Sequence, residues 1–165
     1  MADINDIIDD VNKDDVYYDE KQKQGQVKPG TYEATIVGLR RKINITTKNG
    51  FLCDIYWVRY QIAEDSPTFS KRIVRDSGQF RYRSQELRER NIYYKKFLDK
   101  LEISLSKIEV DGNIRYSLPS ISEDMIIGKK VIINVYKEEW SDSRGYHNEP
   151  HAKLVKSIVD PDAVH

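Results

Sequence analysis

A single cysteine, Cys53, is present in 165 residues, so no disulfide can form within the chain and no cysteine-rich zinc site can be built from it. A reducing compartment is therefore expected. The eight glycines stand singly, so there is no glycine loop to cradle a phosphate. No apolar run approaches the roughly 20 residues of a membrane-spanning helix, and no membrane association is expected. The opening Met1-Ala2-Asp3-Ile4-Asn5-Asp6 is acidic, which argues against a secretory leader. Hydrophobic residues at 39% against 33% charged give a surface-rich chain with a modest core, still too apolar for wholesale disorder. Its length fits one domain of ordinary size.

Enzyme signatures are equally scarce. Cys53 has no histidine near it in sequence and reads as a buried structural thiol. His147 and His151 flank Glu149, but Pro150 interrupts any helix that would align them, and nothing completes a metal set. Asp10-x-Asn12-x-Asp14 imitates the start of a calcium loop, yet the sixth position is Asp15 and the twelfth Lys21. Asp54, Asp76 and Asp124 have no spacing that suggests a two-metal nuclease. A metal-dependent nuclease is the weakest of the readings, and neither cofactor nor catalytic residue is expected.

What is present is charge, unevenly placed. Residues 1–24 carry eight acids and three lysines, a net of −5, whereas residues 25–110 carry 17 basic and 10 acidic side chains, a net of +7. An acidic arm joined to a basic body suggests a polyanion-binding domain with a segment able to compete for its basic face. Within the arm, Ile4, Ile7, Ile8 and Val11 recur at helical spacing. They mark a short amphipathic helix that would dock on its own domain or on a partner. The polar run to Gln26 reads as a linker, which sets boundaries at 1–26 for the arm, 27–159 for the domain and 160–165 for a short tail.

From Pro29-Gly30 onward the pattern is β-rich. A first strand alternates from Thr31 and continues extended to Thr47; Lys48-Asn49-Gly50 is a hairpin turn. Further strands are expected over 51–62 and 68–76. Leu87, Asn91, Tyr94, Leu98 and Leu101 then fall at helical spacing over 84–102, with Ser84 as N-cap. Residues 103–127 read as loop or as a small hairpin turning at Asp111-Gly112-Asn113. Strands over 129–138 and 151–159 follow, separated by a polar loop over 139–150. Three strands, a helix and two strands make a mainly β fold, and that is the chain order of a five-stranded oligonucleotide/oligosaccharide-binding (OB) barrel. The alternative is another small sheet covered by one helix.

Cations and rings interleave along this framework: Arg40, Arg41, Lys42 and Lys48 around the first hairpin, Lys71, Arg72 and Arg75 on the third strand, then Phe80-Arg81-Tyr82-Arg83. Trp140, Arg144 and Tyr146 sit in the expected loop before the last strand. Cations track phosphates and ring faces stack on unpaired bases, so this mixture suits a single strand of nucleic acid. The competing reading is a solvated sheet face with the rings as packing residues. On the second strand, Tyr56, Val58, Tyr60 and Ile62 share one parity and Ile55, Trp57 and Arg59 the other. Arg59 resists burial, so its parity is expected outward with Trp57 beside it; a bulge would put Trp57 in the core instead.

Pro29-Gly30-Thr31-Tyr32-Glu33-Ala34-Thr35-Ile36, the long second strand, the helix ending near Leu101 and Ile127-Gly128-Lys129-Lys130-Val131 resemble a phage-encoded family of small OB-type single-stranded-DNA-binding proteins from replication and recombination gene sets. The resemblance spans about residues 30–158. It implies a non-enzymatic protein of the host cytoplasm, with single-stranded DNA and replication or recombination proteins as partners and homo-oligomerisation open. The acids here lie at the front, whereas bacterial-type relatives carry them in a C-terminal tail. The rival expectation is a protein-interaction or structural module docking through Ile4, Ile7, Ile8 and Val11.

Overall fold

The computed structural model describes residues 25–159, and β-strands dominate them. The expected arm helix with Ile4, Ile7, Ile8 and Val11 and the tail 160–165 lie outside the described residues. The elements are β1 (Gly30–Thr46), β2 (Leu52–Ile62), β3 (Ile73–Arg75), β4 (Gln79–Tyr82), a 3₁₀ turn (Gln85–Asn91), α1 (Ile92–Lys100), β5 (Lys107–Val110), β6 (Asn113–Tyr116), α2 (Glu123–Ile126), β7 (Lys130–Asp142) and β8 (Gly145–Ser157). All ladders are antiparallel, in the order β3-β2-β1-β7-β8, with β4 beside β3 on the same edge of β2. β5 and β6 form a separate hairpin.

Three expectations about the strands need correction. The sheet is not a closed five-stranded barrel: among the described residues no ladder joins β8 to β3 or β4. The third strand is broken. Phe69 and Lys71 take positive φ (54° and 62°), Gly78 takes 110°, and only the short runs β3 and β4 pair with β2. The supposed loop 139–150 is mostly strand, because β7 and β8 continue as a long hairpin closing at Asp142 and Gly145. That arm is mostly not fully buried on either face, so it lacks the alternation that marks a strand in sequence.

The helix is also shorter than its periodicity implies. Its first half, the 3₁₀ turn, buries no residue. Asn91 holds both backbone groups of Tyr82: its Oδ1 accepts Tyr82 N–H at 2.7 Å and its Nδ2 donates to Tyr82 O at 2.9 Å. Ser84 does not cap the helix; its Oγ accepts Leu52 N–H at 2.8 Å. The true helix α1 begins where packing begins, burying Tyr94, Phe97 and Leu98. The turn at Lys48-Asn49-Gly50 forms as expected, with Gly50 at φ 84°, and so does the hairpin at Asp111-Gly112.

The core lies between one sheet face and α1. Tyr56, Val58, Tyr60 and Ile62 of β2 meet Ile36, Val131, Ile133 and Leu98, all essentially without exposure. Two of the buried hydroxyls are partnered by the segment leading to α2, Tyr56 with Ser120 Oγ at 2.6 Å and Tyr94 donating to Pro119 O at 2.6 Å, whereas the Tyr60 hydroxyl has no hydrogen-bond partner among the described residues. Lys100 Nζ donates to Leu154 O at 3.2 Å and Ser157 Oγ to Lys100 O at 2.7 Å, tying the end of α1 to β8.

Asp76, just past β3, is buried inside this wall. Its Oδ1 accepts Val58 N–H at 3.0 Å and Gly78 N–H at 3.1 Å, and its Oδ2 accepts Gln79 Nε2 at 3.0 Å. Burial outweighs these bonds and pushes its pKa from 3.8 up to about 6. The folded chain thus binds this proton more tightly than the unfolded one. The resulting stability is complete below about pH 4 and is lost as pH rises through about 6, an effect of about 3 kcal/mol. Asp76→Asn is expected to remove that fall. Chemical denaturation at pH 4, 5, 6 and 7 checks it, and parallel pH profiles for the two proteins would contradict it.

Candidate nucleic-acid interface

The inner parity of β2 is held by the core, so its outer parity must face away. Cross-strand pairing then fixes its neighbours. Arg59 stands between Gly38 and Arg75, Trp57 beside Arg40, and Ile55 between Lys42 and Phe80; Tyr82 follows, opposite Cys53. A bulge between Ile36 and Gly38 keeps Arg40 and Lys42 on this face. One sheet surface therefore carries Arg40, Lys42, Arg59 and Arg75 together with Trp57, Phe80 and Tyr82. No Asp or Glu shares these positions.

The surface is flat and its rings are ordered by packing. A Cβ on Gly78 would lie 3.1 Å from Trp57 Nε1, so the indole edge rests on bare backbone. A Cβ on Gly38 would lie 3.2 Å from Arg59 Cδ, so the Arg59 stem lies across that glycine. Arg40 Cζ and Lys42 Nζ stand 5.7 and 5.9 Å from the Trp57 ring centre. Phe80 and Tyr82 stack at 6.2 Å and 15°. None of the four cations forms an ion pair among the described residues. Arg59 and Arg75 sit directly opposite one another, a like-charge pairing that costs stability until an anion offsets it.

Other sequence candidates are placed elsewhere. Arg81 is committed to the buried Asp54: Nη1 donates to Oδ2 at 2.8 Å, while Nε donates to Leu118 O at 2.9 Å. Arg83 Nε donates to the same oxygen at 3.1 Å, and Arg83 Nη1 also reaches Asn44 Oδ1. Asn44, at φ 58° in the second bulge of β1, donates its backbone N–H to Asp54 Oδ1 at 2.8 Å. Burial alone would raise the Asp54 pKa, but the bonds from Asn44 and Arg81 and the charge of Arg83 hold it below the ordinary value. Arg41 reaches Ile121 O at 3.4 Å, away from the flat face, and Lys48 is exposed at the turn. Lys71 pairs with Glu64 at 3.1 Å and Arg72 donates to Gly25 O at 2.6 Å, both at the β2–β3 connection.

Trp140 is not an open platform. His147 and His151, four residues apart on β8, take its ring between them, with ring centres 5.0 and 5.4 Å away and planes within 22°. Each imidazole has a carboxylate: Asp142 for His147 at 2.9 Å and Glu138 for His151. Arg144 folds onto Asp142 at the hairpin tip, where Tyr146 is exposed. Cys53 is fully buried, and burial followed by the neighbouring Asp54 charge raises its pKa. Among the described residues no cluster of three His, Cys, Asp or Glu is placed to hold a metal ion, and no helix is long and apolar enough to cross a membrane.

Sequence reading missed Asp54 as the anchor of two arginines, and Arg88, Arg115 and Tyr116, which share a cleft beside Tyr82. The doublet Arg81/Arg83 flanking Tyr82 was the available signal for the first: successive residues of a strand point to opposite faces, so neither arginine can share the face of Tyr82. No family model and no curated protein matches the chain.

The Asp54 cluster predicts its own test. Removing a buried carboxylate that satisfies two guanidinium groups leaves them unpaired, at a cost of about 3 kcal/mol. Asp54→Ala is expected to lower unfolding stability by that order. Arg81→Ala is expected to cost more than Arg83→Ala, because the Arg83 side chain is 40% exposed and screened by water. Equilibrium denaturation measures all three, and a loss for Asp54→Ala under about 1 kcal/mol would contradict the assignment.

Proposed function

We propose that the protein binds single-stranded DNA, largely without regard to sequence, on the outer face of β1, β2, β3 and β4. The observation that carries this reading is a stretch of that face, Gly38–Lys42 of β1 and Ile55–Arg59 of β2 with β3 and β4 beside them, that holds four cations, three rings and no carboxylate; the outward acid of β1, Glu33, lies further along the strand. Unpaired guanidinium and ammonium groups neutralise successive phosphates, and Trp57, Phe80 and Tyr82 offer π faces to bases. A duplex keeps its bases stacked inside and gains nothing from the rings, so a single strand is the better ligand.

The strand order supports an OB-type origin for the fold. β3-β2-β1-β7-β8, with α1 between the third and the last two long strands, is compatible with an OB order in which the final seam carries no ladder among the described residues. The site lies on the strand 2–3 face that such folds use. The resemblance to phage proteins of replication and recombination belongs to the same proposal, as does a role that is binding rather than catalysis.

Anisotropy of a fluorescently labelled oligo-deoxythymidine tests the reading. Trp57→Ala and Phe80→Ala are each expected to weaken binding by about 1–3 kcal/mol. Trp140→Ala is expected to leave affinity nearly unchanged, because its ring already lies between two imidazoles. Arg59→Ala and Arg75→Ala are each expected to reduce the slope of log affinity against log salt by about 0.7. Full affinity in Trp57→Ala together with loss in Trp140→Ala would move the site to the β7–β8 arm and overturn the proposal.

A further inference from the structure

The flat face does not end at Tyr82. Tyr82 also lines an open cleft of about 590 Å³ bounded by the 3₁₀ turn, the start of α1 and the β5–β6 hairpin. That volume lies within the ~300–1,000 Å³ of small-molecule sites. Five cations border the cleft, Arg81, Arg83, Arg88, Lys95 and Arg115, against the single acid Glu89. Arg81 and Arg83 are spent on Asp54, and Lys95 is held by Asp99 at 2.8 Å. Arg88 and Arg115 have no ion-pair partner among the described residues. Tyr116 at the end of β6 carries Lys95 4.4 Å over its ring and remains 44% exposed.

The hairpin itself is built to project. Every residue of β6 and most of β5 are exposed, so its two strands contribute little to the core. What they do contribute is one wall of the cleft, with Arg115 and Tyr116 upon it. Arg88, on the 3₁₀ turn, also lines the cleft, and no residue of that turn is buried.

We propose that this cleft is a second nucleotide subsite: a single strand crossing the sheet face passes over Tyr82 and enters the cleft. There Arg88 and Arg115 take phosphate and Tyr116 takes a base. The inference rests on the single-strand reading above and extends it to residues outside the sheet. Continuity through Tyr82 and the excess of positive charge select a nucleic-acid strand as occupant. The β5–β6 hairpin then acts as the outer wall that a longer ligand engages and a shorter one does not.

A double variant, Arg88→Ala/Arg115→Ala, separates the two ideas, since both side chains lie outside the core and the fold is expected to be kept. Binding is compared for deoxythymidine oligomers of about 4 and about 16 nucleotides, the span of OB-type sites. The double variant is expected to bind the long oligomer roughly tenfold more weakly, with a salt slope smaller by about 1.4, and to bind the short one as the parent does. A long strand substituted with 5-bromodeoxyuridine is expected to photo-crosslink to Tyr116 or Tyr82. Equal affinity of parent and variant for the long oligomer would overturn the cleft while leaving the sheet face intact. Equal loss for both lengths would also overturn it, by making the arginines part of one undivided surface. Absence of any binding by the parent chain would overturn both.

Discussion

The in-out alternation of β2 is the constraint on which the rest depends. Tyr56, Val58, Tyr60 and Ile62 are locked inward by α1 and by the facing strands, and Tyr56 is further held by Ser120. With four consecutive inward positions fixed, Ile55, Trp57 and Arg59 have no alternative to the outer face. A slip of one residue would bury Arg59 unpaired and expose two tyrosines and two aliphatic chains. The core therefore creates the surface of cations and rings by excluding what cannot be buried.

Two buried carboxylates attach the short outer strands to this frame. Asp76 accepts the backbone of Val58 and Gly78 and so fixes the passage from β3 to β4; Gly78 in turn supports Trp57. Asp54 gathers Asn44, Arg81 and Arg83, which joins the bulge of β1 to β4. These contacts matter because β3 and β4 are only three and four residues long and could not hold register by ladder hydrogen bonds alone. The same Asp54 removes two arginines from the ring face, leaving Phe80 and Tyr82 as its contribution from that strand.

Much of this was readable in the residues. The outward parity of Trp57 followed from Arg59 alone, and Asn-Gly at Asn49-Gly50 fixed the first hairpin. The break in the third strand was not readable, because it depends on positive φ at Phe69 and Lys71, residues that rarely adopt it. The β7–β8 arm was hidden because its two faces are similarly polar. The stacking of Trp140 with two imidazoles depends on cross-strand register, which brings His147 opposite it and His151 within reach. Asp54 looked like one acid among many until folding brought residues 44, 81 and 83 around it.

Affinity for single-stranded against double-stranded DNA across a salt series tests the central claim most directly. Four unpaired cations on one face predict tighter binding of a short single strand that covers that face alone, with log affinity falling against log salt at a slope of about −3. Equal or tighter binding of the duplex, or single-strand affinity indifferent to salt, would contradict it.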